Sequence, residues 1–123
     1  MATIELTKDN FEQTVSGNPM VIVDFWAPWC APCRSFAPIF DAASMKHPEI
    51  VFGKVNTDVE QELAANFQIR SIPTLMILRE QVILFSQPGA LHASALDSII
   101  SQAQAVDMAR VHEEIKREHP VSL

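Results

Sequence analysis

Residues 20–27 read MVIVDFWA, a nearly unbroken apolar run rich in β-branched and aromatic side chains. Such a strand has no polar face to turn to water. It must be covered on both sides, as happens in a parallel or mixed sheet with helices packed above and below. One residue interrupts the run, Asp24. An acid there is either hydrogen-bonded or solvated at the end of a strand, or it is a buried functional group, because an unpaired buried carboxylate is costly.

The flanking segments suit that frame. TIEL reads as a short edge strand, and DNFEQTV as a helix start with Asp9 and Glu12 spaced as a capping pair. After PWCAPC the pattern turns helical: Phe36, Ile39, Phe40 and Ala43 fall on one side, and Pro38 predicts a kink about one turn in. IVFGKVN is the next strand. DVEQELAANF is the next helix, with Asp58 as its cap and Val59, Leu63 and Phe67 four apart. LMIL and VILFS form a hairpin about REQ, and QPGALHAS leads into a final helix from about His92. The order β-α-β-α-β-α-β-β-α specifies an α/β fold, a central mixed sheet of four to five strands flanked by helices on both faces.

A chain of 123 residues fits one domain with a core that needs no disulfide staples. Its net charge of −6, with Lys and Arg scattered and only Lys116 and Arg117 adjacent, argues against nucleic acid and against anionic membrane surfaces. No secretory signal is evident in MATIELTKDN and no segment reads as membrane-spanning, so a cytoplasmic protein is expected. Thiols stay reduced there, and a close cysteine pair is then catalytic or metal-binding rather than structural.

The only two cysteines are Cys30 and Cys33, within WCAPC. A structural zinc site takes four ligands, whereas no second cysteine pair exists and His47, His92, His112 and His119 are scattered. No intrachain metal site is expected; zinc or an iron–sulfur cluster shared between two chains stays open. The redox reading rests on position. Cys30 falls where a central strand ends and a helix begins, and both the carboxyl end of the strand and the amino end of the helix favour a thiolate there. A thiolate attacks disulfides, and Cys33, one helical turn later and more buried, is placed to resolve the mixed disulfide.

VDFWAPWCAPC, followed about forty residues later by IRSIPT and then by QPGA, resembles the thioredoxin family over about residues 3 to 105. The likeness implies the thioredoxin fold and a dithiol that reduces protein disulfides. It implies that Cys30 is the exposed nucleophile, Cys33 the resolving cysteine and Trp29 the flanking tryptophan. Asp24 matches a buried acid that takes or relays a proton, and Lys54 a lysine near that acid. Pro73 matches a cis-proline facing the disulfide, with the backbone of Ile72 pairing with an extended substrate and Gly89 beside the groove. Ala31 and Pro32, between the cysteines, belong to the same substrate-binding surface. On residue type alone, Lys54 reads as a snorkelling surface lysine and Trp29 as a packing residue. Burial should raise the pKa of Asp24 towards neutrality, and Lys54 should oppose the rise.

The partners implied are thioredoxin reductase and disulfide-containing proteins, with the chain acting as a monomer. No cofactor beyond the dithiol is expected. No dinucleotide fingerprint occurs, so NADPH would contribute only indirectly, through the reductase. Pro32 stands where strong oxidants of this fold carry histidine, which favours a reducing couple. Two rival readings are a binding or assembly module using the cis-proline groove or the tail, and a thiol oxidant or isomerase.

Three departures from the family pattern stand out. Ala31 replaces a glycine, REQ lacks the usual turn glycine, and VDMARVHEEIKREHPVSL extends past the expected end. Residues 1–106 are read as the thioredoxin domain and 107–123 as a helical extension. Leu96, Ile99, Ile100 and Ala103 share one helix face, whereas Met108, Val111 and Ile115 share another, turned by about a quarter of a circle. Either the helix breaks near Asp107 and folds back, or the second stripe meets a partner.

Overall fold

The computed structural model describes residues 2–118. The apolar run becomes β2 (Met20–Trp26), the middle strand of a five-stranded sheet. Strand β1 (Thr3–Glu5) pairs parallel with β3 (Val51–Asn56), and β3 pairs parallel with β2. On the other side β4 (Thr74–Arg79) runs antiparallel to β2, and β5 (Val82–Pro88) antiparallel to β4. The order is therefore β1-β3-β2-β4-β5.

Alternation along β2 divides the core into two layers. Met20 and Ile22 join Phe40, Phe52 and Ile100 beneath α2 (Ala31–Lys46) and α4 (Ala93–Ala105). Val21, Val23 and Phe25 join Phe11 and Leu63 beneath α1 (Phe11–Ser16) and α3 (Gln61–Asn66). Gly53 on β3 lets the buried Leu6 lie directly against the sheet, since a Cβ there would collide with the Leu6 side chain. Helix α2 continues through Pro38.

Two expected helix caps are corrected. Asp9 does not cap α1. The turn before it is closed by Thr7 and Asn10, with the Thr7 N–H donating to Asn10 Oδ1 at 2.7 Å and the Phe11 N–H to the Thr7 carbonyl at 2.9 Å. Nor does Asp58 cap α3, which starts later, at Gln61. Asn56 organises that turn, its side chain accepting from the Asp58 N–H at 3.0 Å and its carbonyl from the Val59 and Glu60 N–H groups. Val59 thus stands outside the helix and exposed, so the expected Val59, Leu63 and Phe67 stripe reduces to Leu63 and Phe67.

Without glycine, the β4–β5 turn places Glu80 and Gln81 at φ 51° and 67° between the paired Arg79 and Val82. This is the left-handed pair that a two-residue turn needs to match strand twist. At the end of α4 the chain breaks: Val106 is extended (φ −65°, ψ 133°), and α5 (Met108–Glu118) sets off anew, with Asp107 Oδ1 accepting the Arg110 N–H at 3.2 Å. Arg79 Nη1 donates to the carbonyls of Ala103, Gln104 and Val106 at 3.1, 3.1 and 2.7 Å, satisfying helix-end acceptors that a straight helix would have used internally. Met108 is buried, and His112 Nε2 lies 2.9 Å from Glu80 Oε1, fastening α5 to the hairpin turn. His119 and the rest of the extension, residues 119–123, lie outside the described residues.

Candidate active site

Cys30 is the N-cap of α2, four residues beyond the end of β2. It is joined to Cys33 by a disulfide, with their Cα atoms 5.2 Å apart. The Cys33 N–H donates to Cys30 Sγ at 3.2 Å, so one of the free N–H groups of the helix points at the sulfur that would carry charge when reduced. The geometry favours a Cys30 thiolate.

The expected contrast in exposure between the cysteines is small. Cys30 is 4% and Cys33 2% exposed, because Ala27, Trp26 and Ile72 pack around the bridged pair. The exposed surface beside the pair comes from their neighbours. Trp29 is 68% exposed, and Ala31 and Pro32 are also exposed.

Ile72 and Pro73 approach from the segment before β4. Their peptide bond is cis, and the Ile72 carbonyl oxygen lies 3.7 Å from Cys30 Sγ. Gly89, at φ +108°, donates its N–H to the Pro73 carbonyl at 2.8 Å, a conformation suited to glycine. The tertiary structure thus gathers residues 29–33, 72–73 and 89 at one end of the sheet.

Asp24 is completely buried, and neither carboxylate oxygen has a hydrogen-bond partner. Alternation with Met20 and Ile22 puts it on the α2 face of the sheet, and Cys33 is buried on that helix. Burial pushes its pKa up to about 7, and Lys54 pulls the other way. Lys54 is the residue paired with Asp24 across β2 and β3, and its Nζ sits 4.7 Å from the centre of the Trp26 ring. Its ammonium group thus sits over an aromatic face instead of simply reaching into water.

Three contacts had no clear signal in the sequence. Asp58 Oδ1 accepts the Trp29 indole N–H at 3.1 Å, Arg34 Nη1 donates to the Pro28 carbonyl at 2.9 Å, and Trp26 lies beneath Lys54. The first joins residues 29 positions apart, beyond the reach of any local pattern. Among the described residues, no three His, Cys, Asp or Glu side chains cluster as a metal site.

Comparison with known proteins adds three findings. The family model described as thioredoxin matches residues 2–102. A Streptomyces coelicolor protein provisionally named thioredoxin 2 is 53% identical over 114 residues, covering 93% of this chain and 85% of its own length, and the thioredoxin of Porphyra purpurea is 40% identical over 104 residues, covering 83% and 97%. A solved structure of Plasmodium falciparum thioredoxin superposes with a TM-score of 0.75 at 33% identity, over 81% of this chain and 97% of that one.

Proposed function

The chain belongs to the thioredoxin family, and on that premise we propose how its residues divide the work. It is a protein-disulfide reductase acting by dithiol–disulfide exchange through Cys30 and Cys33. The observation that carries this is the bridged Cys30–Cys33 pair at the β2–α2 junction of a chain matching the family from residue 2 to 102.

In the reduced protein the Cys30 thiolate attacks one sulfur of the substrate disulfide, forming a mixed disulfide and expelling the other sulfur as a thiolate. Cys33 then loses its proton and attacks the Cys30 sulfur. The second substrate thiolate leaves, the Cys30–Cys33 disulfide remains, and the substrate has gained two electrons. Asp24 is assigned the proton of Cys33, since a buried acid with a pKa of about 7 accepts a proton near neutrality and returns it in the reverse step. Lys54 is assigned the task of limiting the rise in that pKa. Trp29, Ala31, Pro32, Ile72, Pro73 and Gly89 are assigned to substrate contact, with the Ile72 backbone aligning an extended segment beside Cys30.

The redox group is the cysteine pair itself. Its electrons are assigned to a thioredoxin reductase drawing on NADPH, in the cytoplasm, with the chain working as a monomer. Residues 1–106 are assigned to the catalytic domain and 107–123 to an extension outside the chemistry.

The test is to trap the intermediate. Cys33→Ser mixed with a disulfide-bonded protein should accumulate a covalent one-to-one complex on a non-reducing gel, released by dithiothreitol, whereas Cys30→Ser should give none. A complex formed through Cys33 instead would reverse the assigned roles. Cellular activity that survives replacement of both cysteines by serine would favour the binding-module reading.

A further inference from the structure

The loop after β3 holds an apolar side chain that the redox chemistry does not use. Val59 is 68% exposed, as much as Trp29. Single exposed apolar residues are common and need no explanation by themselves. This one is held in a particular place. Its loop is tied twice to the strand and loop that lead to the cysteines: the Thr57 N–H and hydroxyl donate to the Trp26 carbonyl at 2.8 and 3.1 Å, and Asp58 Oδ1 accepts the Trp29 indole N–H at 3.1 Å. The loop is further wound on Asn56, and Gln61 Nε2 donates to the Asp58 carbonyl at 3.1 Å. The Val59 Cα is one peptide, about 3.8 Å, from the Cα of the residue that grips Trp29.

We infer that Val59 extends the substrate surface at Trp29 and selects disulfides whose cysteine lies close to an apolar side chain. This rests on the disulfide-reducing reading of the site. The occupant is a segment of the substrate protein, because the loop that carries Val59 is bonded through Asp58 to Trp29, the exposed neighbour of Cys30. A second copy of this chain is a poor occupant. Asp58 and Glu60 flank Val59, the chain carries a net charge of −6, and two such surfaces would repel. Val59 is a specificity-determining residue, acting on recognition and not on the sulfur chemistry.

The experiment compares pre-reduced wild type, Val59→Ser and Val59→Leu. The probes are short peptides cyclised by one disulfide, with leucine or serine within two residues of a cysteine, and bis(2-hydroxyethyl) disulfide. Second-order rate constants are read by stopped flow. Partial burial of a valine-sized side chain predicts that wild type favours the leucine peptides by about three- to tenfold. Val59→Ser should lose most of that preference, Val59→Leu should keep it, and the small disulfide should react equally with all three. An unchanged leucine preference in Val59→Ser, or none in wild type, would overturn the inference. So would an equal slowing of peptides and small disulfide, since Val59 would then act by shaping the site. If wild type reduces none of the probes, the disulfide-reducing reading fails and the inference with it, an outcome distinct from the others.

Discussion

At the scale of single residues, Asp24 shows how the fold sets a side chain's acidity, and its proposed part in the chemistry rests on that. Its neighbours on β2 make it buried, and burial without hydrogen bonds lifts its pKa from 3.8 to about 7. Between those values the folded chain holds a proton that the unfolded chain has released. The contribution to stability is therefore complete below about pH 3.8 and is lost as the pH rises through about 7. At 1.36 kcal/mol per pH unit, the loss by pH 8 comes to about 4 kcal/mol. Asp24→Asn carries no such proton. Guanidinium unfolding of the oxidised proteins should show the variant gaining about 4 kcal/mol on wild type between pH 4 and pH 8; a constant difference would contradict the buried-acid assignment. The sequence exposed this residue because an acid inside an apolar run is conspicuous. Asp58 looks like a helix cap along the chain, whereas its partner, Trp29, is brought to it only by packing.

At the scale of elements, the strands and helices follow from apolar periodicity, and the corrections fall at their ends. Helix starts moved because local side chains, Thr7 with Asn10 and Asn56 with its turn, took the hydrogen bonds first. The β4–β5 turn lacks glycine, and the structure sets both its residues in the left-handed region. Gln81 is exposed and at φ 67°. A non-glycine residue costs about 1–2 kcal/mol there, partly offset by the extra freedom that glycine loses on folding, about 0.5–1 kcal/mol. Gln81→Gly should therefore stabilise the protein by about 0.5–1 kcal/mol in a denaturant titration while keeping the Glu80–His112 contact. Destabilisation would mean that the Gln81 side chain supports the hairpin.

At the scale of the whole molecule, the cysteines and the α5 attachment lie at opposite ends of β2 and β4. Cys30 follows the carboxyl end of β2, whereas Arg79, which pairs with Met20 at the amino end, holds the α4–α5 junction. Truncation after Ala105 removes the buried Met108 and one acceptor of Arg79. It should lower stability by about 2–5 kcal/mol, as for loss of a large core side chain, yet leave the rate of disulfide reduction by the folded fraction within about twofold, or about 0.4 kcal/mol in barrier. A much larger loss of rate would give the extension a part in the chemistry. By itself the sequence determined the layered α/β fold, the order of elements, the cysteine pair at a strand–helix junction and the odd acid within the preceding strand, because burial periodicity and local spacing are written along the chain. Only the tertiary structure decided that Trp29 rests on Asp58, that Lys54 lies over Trp26, and that the broken C-terminal helix is clasped by Arg79 and Glu80. Those contacts join residues 24 to 32 positions apart or across strands, and they form only when sheet packing brings distant side chains within hydrogen-bonding reach.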